Sequence, residues 1–176
     1  MMILHYILYH HKKTLRLAAV LMMVLLFSCS IKAQEPPPRP VSIFVNPAQG
    51  LVFGGFFQGI IGGTLIIYPD GSRSVTGDII QANLGIPFSP AIFEIDANPG
   101  TLISILNGPD ATLTGSNGGT LRLHIGSAST GAQFITTVVP PGRTQVRIGG
   151  TLTAGNALAN PAGVYSGTFS ITFIQQ

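Results

Sequence analysis

Ala162-Gly163-Val164-Tyr165-Ser166-Gly167-Thr168-Phe169-Ser170-Ile171-Thr172-Phe173 is the stretch that decides the fold. Tyr165, Phe169, Ile171 and Phe173 fall on one parity, and Ser166, Thr168, Ser170 and Thr172 on the other. Successive side chains of a strand point to opposite faces, so one face here is apolar and the other carries hydroxyls. The segment reads as a half-buried strand that closes the domain.

The same alternation runs back through the chain. Leu121, Leu123 and Ile125 oppose Arg122 and His124, and Val146 and Ile148 oppose Gln145 and Arg147. Further strands are expected at Val41–Val45, Thr64–Tyr68, Ala91–Ile95, Thr101–Leu106 and Gln133–Val139. Turn formers separate them: Pro69-Asp70-Gly71-Ser72, Asn98-Pro99-Gly100, Asn107-Gly108-Pro109-Asp110, Ser116-Asn117-Gly118-Gly119 and Pro140-Pro141-Gly142. All 22 glycines and 13 prolines lie after residue 33, which brings the composition near that of disordered chains. Alternating apolar residues between those breakers argue for a packed domain instead. Many short strands at regular spacing predict an all-β fold, an immunoglobulin-like antiparallel β-sandwich over residues 41–176.

Three segments in order resemble a known family. The first is Leu51-Val52-Phe53-Gly54, Gly63-Thr64-Leu65-Ile66-Ile67 and Pro69-Asp70-Gly71-Ser72-Arg73. The second is Ala91-Ile92-Phe93-Glu94-Ile95, leading through Pro99-Gly100-Thr101 to Ile103 and Ile105. The third, and most specific, is Gly150-Thr151-Leu152-Thr153 with the closing stretch quoted above. Together they resemble the bacterial exported family called domain of unknown function 4402. The resemblance implies an exported immunoglobulin-like sandwich of bacterial envelopes, distantly similar to fimbrial and adhesin subunits. It brings no catalytic or ligand residues.

The front of the chain has a different character. His10, His11, Lys12, Lys13 and Arg16 form a positive patch, and Leu15 to Phe27 is a mostly apolar run. That run falls short of the roughly 20 residues a membrane-spanning helix needs and has the length of a signal-peptide core. Residues 1–33 are therefore expected to be a signal peptide cleaved after Ile31-Lys32-Ala33. A rival cleavage before Cys29, at Leu26-Phe27-Ser28-Cys29, resembles a lipobox and would make Cys29 a lipidated first residue. The protein is then expected in the periplasm, at the outer membrane or outside the cell, touching a membrane only through a lipid on Cys29. Residues 34–40 hold four prolines and read as a stiff spacer of about 22 Å in the polyproline form.

The formal charge of +3 belongs to the leader. After residue 33 there are five arginines, six acids and no lysine, hence a net charge of −1. Phosphate-tracking surfaces need clustered cations, so nucleic acid is excluded as a partner. Cys29 is the sole cysteine, leaving the domain without disulfide or thiol chemistry.

Candidate chemistry is sparse. His124 is the one histidine after the leader, and it shares a strand face with Arg122, a poor setting for a metal ligand. Glu94 and Asp96 share a face as a carboxylate pair, and Asp96 with Asn98, or Asp70 with Asp78, could offer oxygens to calcium. Solvated strand and turn positions explain all of them, so no catalytic, cofactor or metal residue is assigned and no cofactor is expected. Asp70-Gly71 and Asn117-Gly118 are hairpin signals. Gly54-Gly55 and Gly62-Gly63 lack the lysine and the helix of a phosphate loop and read as bulges or close backbone approaches. Phe53, Phe56, Phe57, Ile60 and Ile61 form the densest apolar cluster, with core as the default reading and an exposed patch as its rival.

A non-enzymatic role, structural or adhesive, is the expected function. The alternative is a module that recognises a glycan or protein through loops at one end. Burial or exposure of Phe53–Ile61 separates the two. Self-polymerisation by strand donation is not expected, because the proline-rich 34–40 segment lacks amide donors and large apolar residues.

Overall fold

The computed structural model describes residues 40–45 and 50–176. The expected signal segment, Cys29 and the spacer up to residue 39 lie outside the described residues. Eleven strands follow in order. They are β1 (Ser42–Val45), β2 (Phe56–Ile67), β3 (Arg73–Gln81), β4 (Ala91–Asp96), β5 (Leu102–Asn107) and β6 (Ala111–Gly115). Then come β7 (Thr120–Ala128), β8 (Gln133–Ile135), β9 (Thr144–Ala154), β10 (Tyr165–Ser166) and β11 (Ile171–Gln175). Every pairing between these strands is antiparallel, and the fold is all-β: a curled eight-stranded sheet and a separate three-stranded sheet, β11-β5-β8.

β9 is the spine of the larger sheet. Thr144–Ile148 pair with β4 and Gly150–Ala154 with β2, while β7 runs along the opposite side. The hand-over between β4 and β2 falls at Gly149, where a Cβ would meet the carbonyl oxygen of Ile67. Only glycine lets the two neighbours abut there.

The β2–β3 hairpin does not run straight. Its register shifts between Gln58 and Gly63, leaving two arms: Phe56–Gln58 against Ile79–Gln81, and Gly63–Ile67 against Arg73–Gly77. Arg73 Nη2 donates to Gln81 Oε1 at 3.1 Å. Eight residues of extended strand would hold them about 26 Å apart, so β3 must be sharply bent. Gly62 and Gly77, at φ 81° and 68°, make the corner. Such bulges bend the strand that carries them. A Gly62→Ala variant would need a left-handed backbone and would drive its methyl into the Ala154 carbonyl. We expect it to lose about 2–4 kcal/mol in urea unfolding of the domain.

The closing stretch keeps the predicted parity: Tyr165, Phe169, Ile171 and Phe173 pack against the core, and Ser166, Thr168, Ser170 and Thr172 are exposed. It is not one strand, however. Tyr165–Ser166 pair with β6 in the large sheet, and Ile171–Gln175 pair with β5 in the small one. The chain changes sheets between them while holding one face inward, so both sheets share its apolar side.

Leu65, Ile67, Ile95, Leu121, Val146 and Ile148, each no more than 1% exposed, form the centre of the core. Phe93 and Phe173 bring the sheets together, their ring centroids 5.4 Å apart. All five turn clusters lie between strands as expected. Gln133–Val139 was expected as one strand, but β8 stops at Ile135. Thr136 turns inward there, bonding the Asn98 carbonyl at 2.5 Å and receiving the Thr101 amide at 3.2 Å. β3, β6 and the first arm of β2 are strands that the alternation did not mark.

Candidate functional site

The first arm of β2 forms one wall of an apolar groove of about 630 Å³. Across from it stand the 157–165 loop and β10, and the floor is Leu113, Leu121 and Leu152 from β6, β7 and β9. Leu84, Ile86 and Val164 rise on the rim, 62%, 51% and 75% exposed. No charged side chain lines the groove. One end is tied by the Gln58 amide, whose Nε2 donates to the Asn160 carbonyl.

Asn160 positions that end. It is 4% exposed, its Oδ1 accepts from the Gly155 amide at 2.6 Å, and its Nδ2 donates to the Thr120 carbonyl at 2.6 Å. Arg73 braces the other wall. Nη1 donates to the Phe53 and Gly55 carbonyls at 3.0 and 3.4 Å, and the guanidinium lies 4.4 Å from the Phe88 ring centroid.

The Phe53–Ile61 cluster divides. Phe53 is buried and Phe56 packs against the core, so the core reading holds for these two. It fails for Phe57, Ile60 and Ile61, which are 58%, 89% and 86% exposed. The bulge causes this: it thrusts Ile60 and Ile61 outward at the corner, where Asp78 Oδ2 accepts the Ile61 amide at 2.8 Å. Leu158, 92% exposed, stands on the adjoining loop, which Gly62 meets at the Gly155 backbone. Neither Leu158 nor the convergence of the groove floor is marked by any pattern in the sequence.

The other candidates stay apart from the groove. Asp110 accepts from Arg122 Nε at 2.6 Å and from His124 Nδ1 at 2.8 Å, so an acid ties together the expected surface pair. The hydrogen bonds from His124 and then Arg122 hold the Asp110 carboxyl below its ordinary pKa. A depressed pKa contributes stability that is present above the unfolded value, about 4, and lost as pH falls through the lower folded value. Thermal melts should therefore show a shallower acid limb for Asp110→Asn than for wild type below pH 4.

Glu94 accepts from Arg143 Nη1 at 2.9 Å, whose guanidinium lies over Phe44. Asp96 shares that strand face, opposite Ser42. Asp70 caps its own turn through the Ser72 hydroxyl and amide, whereas Asp78 serves the bulge, so the two have separate tasks. Among the described residues no three His, Cys, Asp or Glu side chains group as a metal site. Nor is any helix among them long and apolar enough to cross a membrane.

The family described as Domain of unknown function (DUF4402) matches residues 43–174, from the edge strand β1 to the close of β11. The chain belongs to this family. Comparison with curated proteins and with solved structures gives no match. Both bent arms, the groove and the sheet-switching close thus lie inside the family's domain.

Proposed function

We propose that this DUF4402 protein is an exported, immunoglobulin-like sandwich that works by adhesion, recognising a partner protein through the loops at its groove end. A leader over residues 1–33, with Cys29 lipidation as the variant route, would deliver it to the envelope. One observation carries the reading: an uncharged apolar groove beside the exposed Ile60, Ile61 and Leu158. Isolated surface apolar residues need no explanation, but a contiguous set flanking a concavity marks an interaction site. The lining sets Phe53, Phe56, Phe57 and Tyr165 among aliphatic side chains and holds few polar ones, which suits apolar protein side chains better than a glycan, whose hydroxyls would need many polar partners. The lone histidine of the domain is engaged with Asp110, outside the groove, which favours a role without catalysis.

The position of the tether supports the same reading. Pro40 precedes β1, whose Ser42 pairs with Asp96 beyond the Thr144 end of β9. Leu152, in the groove floor, lies roughly 30 Å away along β9. A domain held by its N-terminus would therefore present the groove outward.

A photo-crosslinking amino acid at Leu158 or at Ile43, installed in the native host, tests this proposal. Leu158 should yield one discrete adduct on intact cells and Ile43 none. Equal labelling from both ends would defeat the proposal.

A further inference from the structure

The groove walls are strand edges, and their unpaired backbone groups specify what can lie between them. In an antiparallel ladder, residue pairs alternate between exchanging both hydrogen bonds and exchanging none. The Ala82 amide donates to the Gly55 carbonyl, which makes Phe57–Ile80 the next bonded pair. Phe56 and Gln58 then turn their N–H and C=O away from β3. β9 pairs with β2 only from Gly63 onward, so among the described residues no strand meets Phe56–Gln58 on that side.

β10 is the mirror case. The Ser116 amide donates to the Val164 carbonyl, so Tyr165 directs its own N–H and C=O away from β6. β10 ends the path of the large sheet and has no second neighbour. Two edges with free donors and acceptors thus flank a floor of the buried Leu121 and Leu152 and the half-buried Leu113.

We infer that the groove accepts an extended segment of a partner protein by strand addition, the segment pairing with Phe56–Gln58 or Tyr165 and seating alternate large apolar side chains on Leu113, Leu121 and Leu152. This inference rests on the adhesive reading above and names its partner chemistry. The uncharged lining selects an uncharged occupant, since a buried unpaired charge would carry a large desolvation cost. Alternation follows from the strand period: one side chain in two faces the floor, and the next faces solvent.

Other occupants fit less well. Residues 34–40 carry four prolines and no large apolar side chain, so they offer neither the amide donors nor the alternate apolar side chains that the groove would take. A second copy docking tip to tip would bury five exposed side chains: Phe57, Ile60, Ile61, Ile80 and Leu158. At roughly 100 Å² of apolar surface each, that is about 500 Å², below the ~800 Å² per partner of a standard stable complex. The patch becomes adequate only when the groove is filled as well.

The test uses the processed protein and blocked nonapeptides alternating valine and threonine, each paired with a version N-methylated at every second amide. The unmodified peptide should bind and slow amide exchange at Phe56, Gln58 and Tyr165 at least tenfold. N-methylation in the pairing register, and the rim variants Leu84→Lys and Val164→Lys, should each weaken binding at least tenfold. Far-UV circular dichroism should show both rim variants folded. Equal binding by the two peptides would overturn strand addition while leaving a docking groove in place. Binding by neither peptide, or protection confined to other edges, would overturn the inference. Crosslinking at Leu158 judges the adhesive reading independently of these results.

Discussion

Ile148→Ala is expected to lower the unfolding free energy of the domain by about 4 kcal/mol, in the upper half of the range for such truncations. The reason lies in its neighbours. Ile148 is fully buried on β9 and stands between Ala91 on β4 and Ala128 on β7. Alanines on both sides have no side chain that can swing into the space left behind. The residual cavity therefore stays open, and cavity volume sets the cost beyond simple transfer. Urea unfolding followed by circular dichroism provides the check. A loss under about 1 kcal/mol would mean that the two sides of β9 are not packed as described.

Asn160→Asp carries the second large effect, about 3 kcal/mol near neutral pH. The change is isosteric, and one carboxylate oxygen can still accept the Gly155 amide. The other would face the Thr120 carbonyl, where the native amide donates. An acceptor would oppose an acceptor at a buried position, with a charge added. The sign of the pH dependence follows. The new carboxyl would have a raised folded pKa, so the penalty is full above that value and shrinks as acid protonates it. Melting temperatures of variant and wild type should converge between pH 7 and pH 4. A gap that stays constant with pH would place the Asn160 side chain in solvent.

The fold was legible wherever alternation was clean and a turn cluster intervened. β7 reads Leu121-Arg122-Leu123-His124-Ile125, and the structure buries every other residue. Legibility failed where the chain bends. β3 contains Gly77 and β2 contains Gly59, Gly62 and Gly63, and these glycines interrupt the period-2 pattern although both segments pair. Their ladder is stabilised by the β9 side of the sheet, which no local window contains. The split of the closing stretch was invisible for another reason: both halves face the same core, so the parity continues unbroken across the change of sheet.

The site was half legible. Phe53 to Ile61 stood out as an apolar cluster, but the sequence could not say which members the bulge would expel. The groove floor combines Leu113, Leu121 and Leu152 from three strands, and Leu158 comes from a loop with no period at all. Proximity of that kind arises only when β9 brings β2 and β7 to its two sides.

The proposed adhesive role is tested by binding of the protein to the surface of its native host cell, compared with an Ile60→Ser, Ile61→Ser, Leu158→Ser variant. These side chains are 86–92% exposed, so their replacement should leave the melting temperature within a few degrees of wild type. The triple variant should lose surface binding at least tenfold at unchanged stability. Undiminished binding by the folded triple variant would contradict the adhesive role.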